Sequence, residues 1–119
     1  MVINKRAIGA KYEQKAADYL EELGYTIITH NYRCKMGEID LIAEKNSYLI
    51  FIEVKYRLDF RKGSPLEAIN YKKQRTICKV ADYYRMVNGI MEDIPCRFDV
   101  IGFKRDEVCL IENAFNYIE

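Results

Sequence analysis

The sequence predicts a single α/β domain on a mixed sheet, its elements in the order helix, three strands, helix, then one or two strands. Three observations predict it. The chain opens with an amphipathic helical stretch, residues 7–24. From Tyr25 to Arg57 the pattern changes to short β-branched and aromatic runs broken by turn residues, which is strand patterning. A second helical stretch, ended by Gly89, then separates these runs from a further strand-like segment that starts at Cys96.

In the first helix Tyr12, Ala16, Tyr19, Leu20 and Leu23 form an apolar stripe, and Gly24 is the stop. Glu13 falls on the border of that stripe, near Gly9 and Ala17. It either snorkels or reaches over the sheet. Tyr25 to Arg33 reads as the first strand, and Cys34 to Gly37 as a turn. The next two strands lie within Gly37 to Arg57 and turn at Asn46-Ser47, so three strands with short links predict an antiparallel meander. Alternation places Glu38, Asp40 and Ile42 on one face of the second strand, and Ile39, Leu41 and Ala43 on the other. In the third strand Leu49, Phe51, Glu53, Lys55 and Arg57 share a face, with Ile50, Ile52, Val54 and Tyr56 opposite. A strand apolar on both faces belongs in the middle of a sheet.

Leu58 to Gly63 is a polar loop. Ser64-Pro65-Leu66-Glu67 carries the signals of a capped helix start, and the helix should run to about Asn88. Its stripe is Leu66, Ile69, Lys73, Ile77, Val80 and Tyr84. Lys73 takes an apolar place, so it either snorkels or points at an anion near the sheet. Cys96 to Phe103 is the fourth strand, Asp106 marks a turn, and Val108 to Glu112 is a fifth. Asp99 is read as structural.

With 119 residues, half of them hydrophobic, the chain suits one domain with its own core. No apolar run approaches the ~20 residues of a membrane span, and Met1 to Arg6 lacks a signal-peptide segment, so the expected setting is the cytoplasm, with no membrane. Cys34, Cys78, Cys96 and Cys109 are too scattered for a zinc site and read as reduced, mostly core thiols. His30 reads as a strand-edge surface residue. The net charge is only +1, but residues 55–79 carry eight Lys/Arg against two Asp/Glu. That local excess suggests a basic patch, although a solvated face is the commoner explanation of such a charge run.

Chemistry enters at Asp40 and at Glu53-Val54-Lys55. Neighbouring strands lie about 4.8 Å apart, so both carboxylates can converge on one hard cation, Mg²⁺ or Mn²⁺. Such an ion stabilises charge on a phosphodiester and acidifies water, and a lysine beside it can stabilise the transition state. The same residues also suit a strand end held by Asp–Lys or Glu–Lys pairs. Spacing by itself leaves both readings open.

The element order with these residues resembles the PD-(D/E)xK nuclease superfamily and its restriction-endonuclease-like core. More closely it resembles the YraN-like family, itself similar to archaeal Holliday-junction resolvases. The resemblance spans nearly the whole chain. It is carried by Gly9 and Glu13, Asn31-Tyr32-Arg33, Gly37 to Ile42, Phe51 to Arg57, Lys73-Gln74, Arg97 to Val100 and Asn113-Ala114-Phe115. It departs at Tyr12, where the family usually has Gly, and at Tyr32, where Trp is common. The resemblance implies that Asp40 and Glu53 bind metal, that Lys55 assists catalysis, and that Glu13 is a further acidic residue of the site. It also implies a nucleic-acid substrate, with Arg57, Lys72, Lys73, Gln74, Arg75 and Lys79 as the residues suited to contact it.

The expected activity is one-step, metal-dependent hydrolysis of DNA, with branched or flapped DNA the substrate by analogy. Cutting a junction needs two sites, so a homodimer is the expected partner arrangement. The rival class is a non-catalytic nucleic-acid-binding module on the same fold, which would be expected to have lost Asp40, Glu53 or Lys55.

Overall fold

The structure is a computed structural model and describes residues 4–56, 69–104 and 107–119. Its elements are α1 (Lys5–Glu22), β1 (Thr26–Cys34), β2 (Gly37–Lys45), β3 (Tyr48–Lys55), α2 (Tyr71–Val87), β4 (Cys96–Lys104) and β5 (Glu107–Phe115). The strands form one five-stranded sheet in the order β1-β2-β3-β4-β5. Pairing is antiparallel except between β3 and β4, so the sheet is mixed, as the sequence predicts. The first three strands form the predicted meander. A parallel step needs a crossover, and α2 lies on that crossover.

Two apolar layers cover the sheet. On one face Ala16, Ala17 and Leu20 of α1 pack with Leu41, Ala43, Ile50, Ile52 and Ile101. On the other Ile77, Val80 and Tyr84 of α2 pack with Ile39, Ile42, Phe51 and Phe98. Residues 49–54 of β3 are all buried, as its central position requires. Among the described residues, no helix is long and apolar enough to cross a membrane.

Helix α1 starts at Asn4, whose side chain accepts the Ala7 N–H at 3.1 Å. Its buried line is Ala16, Ala17 and Leu20, while Leu23, predicted on the stripe, is 40% exposed. The line is rotated toward Ala17, and Glu13 continues it one turn earlier. Helix α2 is capped by Asn70, which is extended and accepts the Lys73 N–H at 2.8 Å. The helix is therefore not continuous from Ser64. Ser64, Leu66 and Arg57 lie outside the described residues. Its end is as predicted: Asn88 follows Val87, and Gly89 has φ +61°.

Strand β1 starts at Thr26 and takes in Cys34, so the turn before β2 is only Lys35-Met36. Asn46 and Ser47 both have positive φ, as a two-residue primed hairpin turn demands. Strand β5 runs past Glu112 to Phe115 because a bulge carries it on. Its register shifts between Phe98 and Val100, Asn113 has φ +51°, and the Asn113 N–H donates to Asp99 Oδ1 at 2.9 Å. Asp99 is fully buried and also accepts from Arg97 and from the Tyr25 hydroxyl at 2.8 Å, which gives it the predicted structural role. All four thiols are free; Cys78 is buried in the core and Cys34 and Cys96 pack against it partly buried, in line with the expectation of mostly core cysteines. His30 is exposed on edge strand β1, as expected.

Strand β2 departs from strict alternation. Ile39 packs in the α2 layer, while Leu41, two residues on, packs in the α1 layer. Alternation would put both on one face. The strand therefore turns over at Asp40. In β1, Asn31 has φ +50° at the same level, between the pairs His30↔Leu41 and Tyr32↔Ile39.

Candidate active site

The turn-over of β2 aims Asp40. The β2–β3 ladder runs from Lys45↔Tyr48 to Leu41↔Ile52 and ends there. One step on, Asp40 Oδ2 accepts the Val54 N–H at 2.8 Å, a side chain in the place of a backbone carbonyl. The carboxylate thus sits between the two layers rather than inside one. Glu53, from the α2 side of β3, and Glu13, from α1 on the other side, both reach the same space. Glu13, Asp40, Glu53, Lys55 and Tyr56 line a cleft of about 450 Å³.

The cleft is short of positive charge. Lys55 Nζ and Lys73 Nζ each stand 3.8 Å from Glu53 Oε1, too far for a hydrogen bond. Glu53 is only 7% exposed. Burial, then the Asp40 charge, push its carboxyl up to about 7, against the pull of Lys73 and Lys55. Glu13 also rises to about 7, through burial and then the Asp40 charge; a hydrogen bond from the Asn31 side chain acts the other way. Burial raises Asp40 as well, offset first by the Val54 N–H and then by its hydrogen bond with Glu13. Glu38 adds negative charge nearby but is itself held by Arg33 at 3.0 Å.

Hard oxygen donors crowded this closely suit a divalent cation. Among the described residues no three His, Cys, Asp or Glu groups form a ready cage for one. Mg²⁺ does not ask for a cage: it keeps waters and takes one or two carboxylates together with substrate phosphate oxygens. Asp40 and Glu53 are the donors that could hold it.

The structure thus brings together Asp40, Glu53, Lys55 and Glu13, and adds Lys73. Of the two readings of Lys73, it takes the one facing an anion. Lys72, Arg75 and Lys79 stay exposed on α2, outside the cleft. Gln74 Nε2 donates to the Ile69 carbonyl at 3.0 Å, next to the start of α2. Asn31 is the neighbour that sequence reasoning missed as a site residue. Its signal was an asparagine inside a run of strand formers, a residue type that tolerates positive φ. Tyr12, one of the two departures from the resemblance, stacks on Tyr56 with ring centroids 5.5 Å apart and meets Phe103 at 5.1 Å. Tyr32 meets Tyr84 edge-on at 5.0 Å.

The fold and the cleft define a mixed-sheet α/β domain with an acidic centre, flanked by lysines, where a hairpin opens. Residues 12–103 match the model of the uncharacterised protein family UPF0102. A UPF0102 protein of Lachnoclostridium phytofermentans is 51% identical over 114 residues, covering 96% of this chain and 97% of the relative. Another, of Alkaliphilus oremlandii, is 48% identical over 118 residues, covering 95% and 100%. A third, of Clostridium botulinum strain Loch Maree, is 45% identical over 114 residues, covering 91% and 93%. The chain belongs to the UPF0102 family, the YraN-like family that the sequence resembles.

Proposed function

We propose that this chain is a Mg²⁺- or Mn²⁺-dependent deoxyribonuclease that hydrolyses phosphodiester bonds in DNA. The observation that carries the reading is the meeting of Glu13, Asp40 and Glu53 at one open hairpin end, with Lys55 and Lys73 facing Glu53. Pure nucleic-acid binding would gain nothing from three carboxylates beside a phosphate. When bound, the cation supplies charge neutralisation at the phosphate and a more acidic water.

The protein's own groups supply the rest. Asp40, held by the Val54 N–H, and Glu53, buried in the central strand, offer the oxygens that would hold the cation. The Lys55 ammonium stands beside Glu53, where it can stabilise the charge that builds on the phosphate. Glu13 can take up a proton near neutral pH. Lys72, Arg75 and Lys79, exposed on α2, would meet backbone phosphates. The cytoplasm is the setting that suits four free thiols.

The test is a cleavage screen with Mg²⁺ and Mn²⁺ over linear, flapped and four-way DNA, with Asp40→Asn run beside the wild type. Cleavage of at least one substrate by the wild type, lost in the variant, is the expected result. Flapped or four-way DNA should be cut in preference, with four-way cutting tied to a pair of chains. A folded wild type that binds DNA and cuts none of these substrates with either metal would leave the binding module as the function.

A further inference from the structure

Resting on that reading, we propose that Gly9 leaves a seat without a side chain in the wall of the cleft, beside Tyr56, and that this seat takes the sugar and base of an unpaired nucleotide next to the scissile phosphate. Gly9 lies inside helix α1, in its second turn. Glycine there weakens a helix relative to alanine, because it has more backbone freedom to lose. Nothing in the described fold asks for a glycine at this place. Its φ is outside the left-handed region. A Cβ added to it would meet no heavy atom of the described residues within 4 Å, so no neighbouring element needs the room. Glu13 stands one turn later on the same face, and helix side chains lean back over the preceding turn. Even so, Glu13 stays outside that 4 Å.

What Gly9 does border is the cleft, which it lines together with Glu13, Glu53, Lys55 and Tyr56. The charge there belongs to the carboxylates and Lys55, which suit a phosphate and its cation. Gly9 and Tyr56 carry none, so they suit the uncharged parts of the same nucleotide. The Tyr56 ring is stacked on Tyr12, with centroids 5.5 Å apart and planes 16° from parallel. Tyr12 follows Gly9 by three residues, which makes the two neighbours on α1, and Phe103 meets its ring at 5.1 Å. The Tyr56 ring is thereby tied to the Gly9 side of α1 with its orientation already set. A base of any identity can stack on an aromatic ring of this kind. In a duplex each base stays in its own stack. A base from a single strand or a flap is free to leave it, so the seat selects unpaired DNA.

The competing explanation is that Gly9 is an incidental weak point of the helix. Both explanations predict a more stable Gly9→Ala protein, by about 2–5 °C in melting temperature. They part at the DNA, because only the proposal makes the stabilising methyl group harmful to binding.

The experiment compares full-length wild type, Gly9→Ala, Gly9→Leu and Tyr56→Leu. Melting temperature is read first. Affinity is then measured for a single strand and for a blunt duplex of the same sequence, with Ca²⁺ in place of Mn²⁺. Cleavage of the single strand is followed with Mn²⁺. The wild type should bind the single strand more tightly than the duplex. Gly9→Leu and Tyr56→Leu should each weaken single-strand binding by roughly 10–100-fold and duplex binding much less. Gly9→Ala should weaken single-strand binding to a smaller extent while raising the melting temperature. A lower melting temperature in Gly9→Ala would assign the glycine to the fold and overturn the inference. Unchanged single-strand affinity in Gly9→Leu or Tyr56→Leu, or equal losses on both DNAs, would overturn it too. Should Gly9→Leu unfold, Gly9→Ala decides by the same readouts. A wild type that shows this binding pattern and cuts nothing keeps the seat and ends the nuclease reading. A wild type that cuts DNA, with its Gly9 variants unaffected, does the reverse.

Discussion

Lys55 and Lys73 reach the same oxygen of Glu53 from different elements, one from β3 and one from α2. They are separable by mutation. Lys55→Met keeps most of the stem and removes the charge. If Lys55 stabilises the transition state, DNA and Mn²⁺ affinity should hold while the cleavage rate falls by about 10²–10³. If it merely pairs with Glu53, the melting temperature should fall and the rate per folded molecule should hold. The carboxyls make a second test at this scale. Glu13 and Glu53 rise from an ordinary 4.5 to about 7 in the folded chain. A raised carboxyl binds its proton more tightly folded than unfolded, so stability falls as pH rises from about 4.5 to about 7. No penalty remains below that window, and it is complete above it. Melting temperature measured across pH 4–8 without divalent ions should show this decline. Added Mn²⁺ should raise the melting temperature more at pH 8 than at pH 5, and Asp40→Asn should blunt that gain.

At the scale of elements, two contacts set how the layers meet the sheet. Gly37 opens β2 with φ +150°, and a Cβ there would stand 2.7 Å from Thr76 Cγ2 on α2. Gly37→Ala should therefore push α2 off the end of β2 that leads to Asp40, and lose roughly 1–3 kcal/mol on denaturant unfolding. The Asp99 cluster ties β4 and β5 to Tyr25. Arg97 on β4 donates to both Asp99 oxygens and to the Tyr25 hydroxyl, and Asn113 of β5 donates its N–H. Asp99→Ala would leave a mostly buried guanidinium without its carboxylate. The expected loss is about 3–5 kcal/mol, with Mn²⁺ affinity per folded molecule unchanged. A variant with wild-type stability would mean that water or Glu112 replaces Asp99. These elements were legible in the sequence because each rests on local chemistry: an asparagine-serine turn, a glycine stop, an apolar run. The start of α2 was misread, because Ser64-Pro65 signals a helix more strongly than Asn70 does, yet Asn70 is the cap in place.

For the whole molecule, the question is how a nearly neutral chain would meet a polyanion. Charge is segregated, with the positive excess in residues 55–79. Within it Lys72, Arg75 and Lys79 face solvent on α2, whose Lys73 also reaches Glu53. If these side chains contact phosphates, log affinity for duplex DNA should fall linearly with log salt, by about 0.9 per contact. Lys72→Ala and Lys79→Ala should each reduce the slope by about one unit. Binding that ignores salt would remove DNA from the proposal.

The sequence by itself determined the order of elements, the central place of β3 and the residues Asp40, Glu53 and Lys55, since periodicity and turn chemistry act over a few neighbours. It left Glu13 on a border and Lys73 between two roles, and it put Asn31 in a strand without its positive φ. Those were decided by tertiary structure. The β2 turn-over at Asp40 contradicts the alternation that any local pattern assumes. Layers from α1 and α2, on opposite faces of the sheet, then bring Glu13 and Lys73 to the same open hairpin end. Where side chains far apart in sequence share one cleft, their charges and hydrogen bonds are set by packing, and no window of sequence contains it.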